Sequence, residues 1–532
     1  MELTIEFIKN TVIATEDIIN RSKIIKRIIE TYQGSIKRSK METGQKYYEG
    51  KHVILADPKR INKIVVNVNK VITDQKVGYI NMSAVKADVV PSKDDNVTEG
   101  EEKGENSDLT LAQFDASLQN QLDKKERLKF HNLHTSSSAK GVEWLHYFLD
   151  KDGNFATKII DGVTVIEIRN KEGDLEMIIR FYLRDEWNGD SFDKLYVVEI
   201  WDSQMSWVFR EKKETNEKDE EYTIFVLDDS LDINPSPHII HTVNVTLDAY
   251  YSYIREKQNE NVVPFIDIQD FTTPDANVTV HGWGMVPFSP LYNNQEKEGD
   301  IFQYKSMQDD LNKNVSDISN NFDDMQEIIS FTRGFEEMLT DNDGERLDQV
   351  SAARIAQYMI KQAKHINLPA GKDEDGDFGF KTVDIPVEKR YEHIEQLLSM
   401  MYMVAMAVSP KQLMESTVTT GVGITKLFSL LDIKANNNTA YIELMLEDYG
   451  GFFARYFNVK EDTEFTKDNI LWIMTKNRLM NTKEMVEVAI LLSQIVSRKT
   501  VLETLPTHIV ESVAEEMDRI LTENGSPTGE EL

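Results

Sequence analysis

Hydrophobic residues in the first part of the chain recur at helical spacing. Isoleucine and valine lie three or four residues apart between Ile5 and Ile29, and Asn62–Tyr79 predicts a further helix. Residues 93–108 contain seven acids and two lysines, which indicates an exposed, mobile loop. A helix with a polar face is predicted to follow from about Leu109 to His134.

From Gly141 to about Phe288 the hydrophobic period changes to two. Short apolar runs are separated by turn sequences such as Asp152-Gly153-Asn154 and Asn188-Gly189-Asp190, which are typical of hairpins. The pattern therefore predicts a β-rich module, interrupted by a charged stretch from Glu211 to Tyr222.

A long amphipathic helix is predicted between Gly299 and Phe331. Its apolar seam, spaced by three and four residues, consists of Tyr304, Met307, Leu311, Val315, Ile318, Phe322, Met325 and Ile329. About 30 residues of helix would span roughly 45 Å. The other faces carry mostly acids and amides, so we expect the helix to pack along its seam and to expose the rest to water or a partner.

The following segments alternate irregular and helical patterns. Residues Thr332 to Asp384 look irregular, and a second long helix is predicted from Pro386 to Val408. A loop from Lys411 to Thr420 precedes a third long helix that ends near Phe457, and Thr466–Glu523 predicts a small helical module.

Composition narrows the class of protein. The 532 residues are 40% hydrophobic and 28% charged, as in an ordered soluble protein with several modules. With no cysteine, a disulfide framework, a thiolate zinc site and a cysteine nucleophile are excluded. The longest apolar run, Met400–Val408, is too short to span a bilayer, and the N-terminus does not resemble a signal peptide.

The charge is unevenly distributed. The chain has a formal net charge of −31; residues 1–90 carry 16 basic and 10 acidic residues, a net of +6, which leaves −37 for residues 91–532. A basic contact surface at the N-terminus is one interpretation, but solvated helix faces are the favoured one. The acidic excess is opposite to that of a protein that grips nucleic acid through its phosphates.

Candidate catalytic and metal-binding motifs fail on spacing. The acidic turns Asp373–Asp377 and Asp341–Gly344 lack the glycine and glutamate positions of a calcium loop. The pairs His131/His134 and His238/His241 have a spacing compatible with metal, but no third ligand completes either set. A phosphate-binding loop, a serine elbow and an H-E-x-x-H motif are absent from the sequence. We therefore assign no catalytic residue, metal or cofactor.

Six segments in order resemble those of one protein family. They are Tyr47–His52, Asn62–Tyr79, His134–Trp144, Val286–Asp300 with the helix after it, Thr420–Gly423 with Asp432–Ala435, and Val496–Pro506 with Glu515–Glu523. Their order resembles the portal (head-to-tail connector) proteins of tailed bacteriophages, of the long-tailed type that infects Gram-positive hosts.

The resemblance implies an α+β portal fold. Its expected parts are a wing of N-terminal helices and β-rich module (1–300), a first stem helix (301–331), a small α/β clip (332–385), a second stem helix (386–408), a tunnel loop (409–421), a long helix returning to the wing (422–465) and a helical crown with a C-terminal tail (466–532).

The resemblance also implies a structural role rather than an enzymatic one. The chain would form a homo-oligomeric ring, typically of twelve copies, at the capsid vertex of the virion, assembled in the host cytoplasm. Double-stranded DNA would be packaged and ejected through it. Its partners would be terminase, scaffold and major capsid protein, and later a head-completion or tail adaptor protein, with no membrane involved.

The resemblance places candidate sites on two segments. Tunnel-loop candidates are Lys411, Gln412, Glu415, Thr417 and Thr419, for which ordinary loop solvation is the alternative. Candidates facing the channel on the first stem helix are Asp309, Asp310, Asp317, Asp323 and Asp324. Such an acidic wall would repel phosphate and let DNA slide without sticking.

Two alternatives remain open. A carboxylate-dependent hydrolase with its catalytic site in the β-rich middle predicts activity in a monomer and a carboxylate with a raised pKa. Another phage structural protein, such as a scaffold, would share the long helices but not the loop between Val408 and Gly421.

Overall fold

The computed structural model describes residues 3–523 except for short and long gaps. The gaps are 92–104, 151, 188, 216–220, 232–233, 235, 238–240, 244–278, 282, 326–328, 334–364, 369–376, 382–386, 416–420, 462, 478–488, 494, 506–509 and 511–512. Within the ranges that remain, no helix combines the length and the apolar character needed to cross a membrane.

The N-terminal region is helical, as the sequence predicts. Helices α1 (Ile5–Ile8), α2 (Ile18–Gln33) and α3 (Ile36–Tyr48) are followed by α4 (Val68–Ile80). A side-chain cap sets each later start: the side chains of Asp17, Ser35 and Asn67 accept a hydrogen bond from the backbone three residues on. Residues 62–67, predicted as the beginning of α4, are extended instead.

The remaining helices lie further along the chain. They are α5 (Glu105–Gln121), α6 (Lys124–Lys140), α7 (Lys305–Met325), α8 (Val387–Val404), α9 (Pro410–Glu415), α10 (Gly421–Glu461), α11 (Arg498–Thr504) and α12 (Val513–Glu523).

The β-rich module predicted between Gly141 and Phe288 is confirmed. Its largest sheet is antiparallel in the order β4-β5-β6-β7-β8, with β9 beside β7. These strands are β4 (Val165–Arg169), β5 (Leu175–Trp187), β6 (Phe192–Trp201), β7 (Met205–Thr215), β8 (Glu221–Leu227) and β9 (Ser236–Pro237). Helices α1 and α2 cover one face with an aliphatic and aromatic core.

Smaller sheets join distant parts of the chain. Strand β12 (Phe288–Tyr292) pairs with β2 (Val142–Leu149), which pairs with β3 (Phe155–Ile160). The short pairs are β1 (Lys86–Val89) with β16 (Ile470–Ile473) and β10 (His241–Val243) with β11 (Thr279–His281). Strand β13 (Ile329–Arg333) lies between a parallel β14 (His365–Leu368) and an antiparallel β15 (Asp377–Lys381).

Helix α10 is 41 residues long and supplies much of the largest core. Its Tyr449, Phe452 and Phe453 pack against Tyr147 of β2 and Phe155 of β3, with the rings of Tyr147 and Phe452 stacked 4.2 Å apart between centroids. The third predicted long helix is thereby confirmed, and it ends at Glu461 rather than near Phe457.

The first predicted stem helix is shorter than expected. Helix α7 ends at Met325, and Ile329 and Phe331 belong to strand β13. The reason is visible in the pattern: from residue 329 to 332 apolar and polar residues alternate, which suits a strand. The irregular pattern read for Thr332–Asp384 is corrected as well, because the described part of this segment contains strands β14 and β15.

The second predicted stem helix also ends early. Helix α8 stops at Val404, because Met406 takes a left-handed backbone with φ of 52° and the Ala407 N–H donates to the Tyr402 carbonyl at 2.9 Å. The predicted loop from Lys411 to Thr420 begins with helix α9, and residues 416–420 lie outside the described residues.

Other boundaries differ in smaller ways. The helix predicted from Leu109 to His134 is two helices, since Asp123 caps α6 by accepting from the Glu126 N–H at 2.7 Å. The predicted mobile loop 93–108 lies outside the described residues up to 104, and the rest belongs to α5.

Two further predictions are corrected in part, because strands occupy some of the segments concerned. Within the charged stretch Glu211–Tyr222, residues 211–215 belong to β7 and 221–222 to β8, and 216–220 lie outside the described residues; Lys213 pairs across the sheet with Asp193 at 3.0 Å. The described part of the C-terminal module Thr466–Glu523 contains the predicted helices, α11 and α12, and also strand β16, which pairs with β1.

Candidate functional site

Helices α7 and α8 pack along the predicted seam. Tyr304, Leu311 and Ile318 are buried, while Phe322 at the far end is exposed. Opposite them lie Ile394, Leu398 and Met401 of α8, with Tyr47 and Ile72 from the N-terminal helices completing the cluster. The predicted seam is therefore confirmed from Tyr304 to Ile318, and it is wrong at Phe322, which is exposed, and at Ile329, which lies in β13.

A second face of α7 is polar yet buried. Gln308, Asn312, Ser316 and Asn320 recur every four residues, and we call them the amide ladder. Beside them runs the segment of residues 52–67, which we call the strap; it begins with a 3-10 helix at Val53–Ala56 and is extended from 62 to 67. The backbone N–H groups of Asn62, Ile64 and Val66 donate to Asn320, Ser316 and Asn312 at 2.8, 2.9 and 3.0 Å.

The match between ladder and strap is geometric. Four residues of helix rise about 6 Å, and two residues of extended chain rise about 6.6 Å. Side chains four apart on α7 therefore meet alternate backbone N–H groups of the strap. The ladder also donates back, from Gln308 to the Val66 carbonyl at 2.8 Å and from Asn320 to the Asn62 carbonyl at 3.2 Å. Side chains thus replace the strand partner that an extended segment needs.

The ladder reaches the first turn of the strap through His52. The side-chain amide of Asn312 donates to His52 Nδ1 at 2.7 Å, and His52 Nε2 lies 3.0 Å from the Tyr47 carbonyl. Burial lowers the pKa of His52. The neutral ring can then accept from Asn312 at Nδ1 and donate at Nε2. Asn312 and Asn320, expected to face water or a partner, instead hold the strap.

The predicted channel-facing aspartates have partners within the chain. Asp309 accepts from Lys305 at 2.7 Å and from the Tyr47 hydroxyl. Asp310 lies 3.2 Å from His393 of α8, and Asp317 accepts from Arg60 of the strap at 2.8 Å.

The carboxylates of Asp309, Asp310 and Asp317 are all partly exposed. Asp323 and Asp324 lie in the last turn of α7. A channel-facing role for the five stays a prediction.

A buried ion cluster lies where α7 begins. Asp300 is 2% exposed and contacts the ammonium groups of Lys76 at 2.8 Å and Lys434 at 3.5 Å. Asn293 donates to Asp300 at 3.0 Å and accepts from Lys76 at 2.6 Å. Lys434 also donates to the Ala405 carbonyl at 3.0 Å, just beyond the end of α8. The cluster therefore joins α4, α10 and the adjoining ends of α7 and α8.

The charges in this cluster depend on each other. Burial alone would raise the pKa of Asp300, but the ammonium groups of Lys434 and Lys76 hold it well below its usual range. Burial lowers the pKa of Lys76 to about 8, against the attraction of Asp300. Burial and the nearby Lys76 charge also lower the pKa of His134 to about 3.

The segment after α8 is fixed at its start and exposed beyond it. Gln75 donates to the Val408 carbonyl at 3.0 Å and accepts from the Val408 N–H at 2.9 Å. Of the tunnel-loop candidates, Lys411 is exposed and pairs with Glu395 at 3.3 Å, and Gln412 is exposed. Glu415 ends α9, and Thr417 and Thr419 lie outside the described residues.

The histidine pairs do not form metal sites in the described part of the chain. His134 Nε2 lies 2.7 Å from the side-chain oxygen of Asn438, so this ring is a core hydrogen-bonding group. His238 falls outside the described residues. Among the residues that are described, no group of three or more His, Asp or Glu side chains could hold a metal ion.

One carboxylate in the β-rich module has a raised pKa. Burial raises the pKa of Glu143 to about 7, although Lys140 lies 2.6 Å away. Glu143 also accepts from the Gly162 N–H at 3.2 Å. Its side chain is enclosed and occupied by these partners, which is the arrangement of a structural ion pair rather than of a group that meets substrate.

Sequence reasoning missed the amide ladder and the ion cluster for different reasons. The ladder had a signal, namely amide and hydroxyl residues at four-residue intervals on a helix with an apolar seam. The cluster had none, because Lys76, Asp300 and Lys434 are each more than 100 residues apart.

Comparison with known proteins gives consistent matches. The family described as "Phage portal protein, SPP1 Gp6-like" matches residues 29–527. The portal protein of Bacillus phage SPP1 is 24% identical over 390 residues, covering 72% of this chain and 64% of the relative. The portal protein of Clostridium phage phiCD119 is 22% identical over 357 residues, covering 64% of this chain and 60% of the relative. The match thus spans less than two thirds of the length of either relative.

Proposed function

Because the chain belongs to the SPP1 Gp6-like family of phage portal proteins, we propose that it forms a ring at one vertex of the capsid. Double-stranded DNA passes through this ring when the genome is packaged and when it is ejected. The observation that carries the proposal is the family match over residues 29–527. The ring is a virion component that assembles from about twelve copies in the host cytoplasm.

The parts of the chain take the roles expected from the family. The helix pair α7 and α8 forms the stem, and the sheet of β13, β14 and β15 between them belongs to the clip, which docks terminase and later a head-completion or tail adaptor protein. The N-terminal helices and the β-rich module form the wing, which contacts scaffold and major capsid protein. Residues 409–421 form the tunnel loop, α10 returns to the wing, and residues 466–532 form the crown and tail.

The buried ion cluster and the amide ladder support a stem that moves as one body with its attachments. The cluster joins α4, α10 and both stem helices, and the ladder joins α7 to the strap. A channel wall has to keep its diameter while DNA slides past, and buried polar networks with every member paired are rigid. We therefore assign these groups to holding the channel wall in place.

A structural role is favoured over the hydrolase alternative. The family is structural, and the carboxylate of the β-rich module with the raised pKa, Glu143, is enclosed by Lys140 and a backbone N–H. The portal proposal predicts that hydrolysis of ATP during packaging belongs to the terminase docked on the clip.

The first test is the mass of the purified chain in solution, with negative-stain images of the same sample. We expect a ring of about twelve copies with a central hole. A chain that stays monomeric at high concentration and in the presence of capsid and scaffold protein contradicts the proposal and returns the hydrolase alternative to first place.

The tunnel-loop and stem candidates can be tested by packaging. Replacing Asp309, Asp310, Asp317, Asp323 and Asp324 by Asn or Lys should slow or stall DNA entry into capsids, if these acids repel phosphate at the channel wall. Replacing Lys411, Gln412, Glu415, Thr417 and Thr419 by Ala tests whether the tunnel loop meets DNA. Unchanged packaging rates would contradict the corresponding role.

A further inference from the structure

The strap and α8 lie on different flanks of α7. At 100° per residue, the ladder positions 308, 312, 316 and 320 centre about 120° away from the buried seam positions 304, 311 and 318, which pack with α8. The hydrogen bonds of the ladder place the strap on the first flank, and the pair of Asp310 with His393 and the apolar seam place α8 on the second. The stem of one subunit is therefore a layer of three: strap, α7 and α8.

The outer surface of the strap is apolar and basic. Val53, Leu55 and Ile61 are exposed, and Ile61 is 90% exposed. Residues 52–67 contain Lys59, Arg60 and Lys63 against Asp57, which gives a net charge of +2. Exposed aliphatic side chains grouped on a segment of this size are typical of a surface that another protein covers.

The outer surface of α8 is apolar and acidic. Met400 and Met403 are exposed, and Met403 is 61% exposed. Glu388, Glu392 and Glu395 share this outward side of the helix with Lys389. Glu392 pairs with Lys389 at 3.1 Å and Glu395 pairs with Lys411 at 3.3 Å. Residues 387–404 carry three glutamates against Lys389 and Arg390, a net charge of −1. The two flanks of the stem unit are thus each partly apolar and opposite in charge sign.

We propose that the strap of one copy of this chain packs against the outer face of α8 in the next copy. The inference rests on the proposed ring and names the surfaces that build its stem. Two complementary faces on different flanks make a head-to-tail contact, which repeats from copy to copy and closes when the rotation allows. Val53, Leu55 and Ile61 meet Met400 and Met403, and the lysines of the strap face the glutamates of α8.

The absence of cysteine from the sequence makes a direct test possible. The variant carrying both Ile61→Cys and Met403→Cys places one thiol on each proposed face. Under mild oxidation we expect a series of disulfide-linked multimers (a band series), up to the full ring, on a denaturing gel without reductant. Each single variant should give no such band series, because one thiol per chain cannot link more than two copies.

The matched control pairs Met403→Cys with Ile36→Cys. Ile36 is also an exposed isoleucine, 77% exposed, and lies at the first turn of α3 away from the strap. This pair should give no disulfide-linked multimers. Multimer bands of equal intensity from the control pair would show that the disulfides form by random collision of chains, and would overturn the inference.

The outcomes separate the contact from the ring itself. If mass and imaging show rings but the variant with Ile61→Cys and Met403→Cys gives no disulfide-linked multimers, the strap contact is overturned and the ring proposal stands. Covalent dimers alone indicate a two-fold contact and overturn the head-to-tail arrangement. Failure of the unmodified chain to form rings, even beside capsid and scaffold protein, overturns both proposals.

A second measurement uses charge instead of a covalent bond. Ile61→Asp should lower the ring-to-monomer ratio at least tenfold, and Ile36→Asp should leave it unchanged. Both positions are exposed in the single chain, so neither change disturbs its core, and circular dichroism checks this. Equal effects of the two changes, or no effect of Ile61→Asp, would overturn the inference.

Discussion

Replacing Asp300 by Asn tests whether the buried ion cluster holds α4 and α10 to the adjoining ends of α7 and α8. Asp300 lies between Lys76, which is 1% exposed, and Lys434. Asparagine keeps the size of the side chain and the hydrogen-bonding capacity but removes the negative charge. The ammonium groups of Lys76 and Lys434 then face each other without a counterion, and the side chain of Lys76 is almost wholly shielded from solvent.

The expected cost follows from the burial. Removing one partner of a buried ion pair costs about 3–5 kcal/mol, since an uncompensated charge stays in the interior. At about 1.4 kcal/mol per tenfold, the segments held by the cluster should open on the order of 10²–10³ times more often. Replacing Lys76 by Met in addition should recover part of this loss, because it removes one of the stranded charges.

Hydrogen exchange read by mass spectrometry is the assay, with peptides from α4 and α10. The matched control is Glu447→Gln, which breaks the exposed pair with Lys467 and should change exchange less than about threefold. The reasoning is wrong if Asp300→Asn exchanges like the control, or if adding Lys76→Met makes the loss larger instead of smaller.

The same cluster predicts a pH dependence with a definite sign. The pKa of Asp300 lies below its usual value in the folded chain, so its stabilising contribution is present above about pH 4 and is lost as the pH falls further. The difference between the native chain and Asp300→Asn should therefore shrink below pH 4. A difference that stays constant down to pH 2.5 would contradict the assignment.

Three other changes follow from the contacts. Asn312→Ala removes the acceptor of the Val66 N–H and a donor to His52, so the free energy of opening of the strap, measured by hydrogen exchange, should fall by about 1–3 kcal/mol. Asn314→Ala should leave this free energy unchanged, and equal effects of the two changes would contradict the role of the amide ladder. Gly141 has a φ of 105°, and a Cβ added there by Gly141→Ala would clash with the Lys297 carbonyl. Gly153 has a φ of 76°, but a Cβ added there meets open space, so only Gly141→Ala should prevent soluble expression. Gln75→Ala frees both backbone groups of Val408 and should raise proteolysis after α8, whereas Gln45→Ala, on an exposed pair with Glu49, should not.

The parts of the fold that sequence predicted are those with local periodicity. The seam of α7 from Tyr304 to Ile318 repeats every three or four residues, and the period-two run of β5 and β6 is just as regular. Caps set the starts of α2 and α3 by contacts within three residues. Information of this kind is contained in a short window, so one sequence suffices to read it.

The misplaced boundaries have long-range or conformational causes. Residues 62–67 continue the apolar pattern of α4 but stay extended, because side chains of α7, about 250 residues away, take their backbone hydrogen bonds. Met406 ends α8 within an unbroken apolar run by adopting a left-handed backbone that no pattern announces. Strand β16 was also missed for a long-range reason, since its partner β1 is almost 400 residues away in the sequence.

The charge of the stem limits how its acids can act on DNA. Summing residues 52–67, α7 and α8 gives +2, −3 and −1, a net of −2 out of −31 for the chain, so the stem unit itself is close to neutral. Asp317→Asn alone would also release Arg60 from its pair and loosen the strap. A packaging defect in that variant therefore has two causes, one electrostatic and one structural. Combining Asp317→Asn with Arg60→Gln keeps the net charge and removes the pair of Arg60 with Asp317, together with its pair with Asp57 inside the strap. If the double variant packages normally, the acids act through charge. If it fails like the single variant, they act by holding the strap on α7.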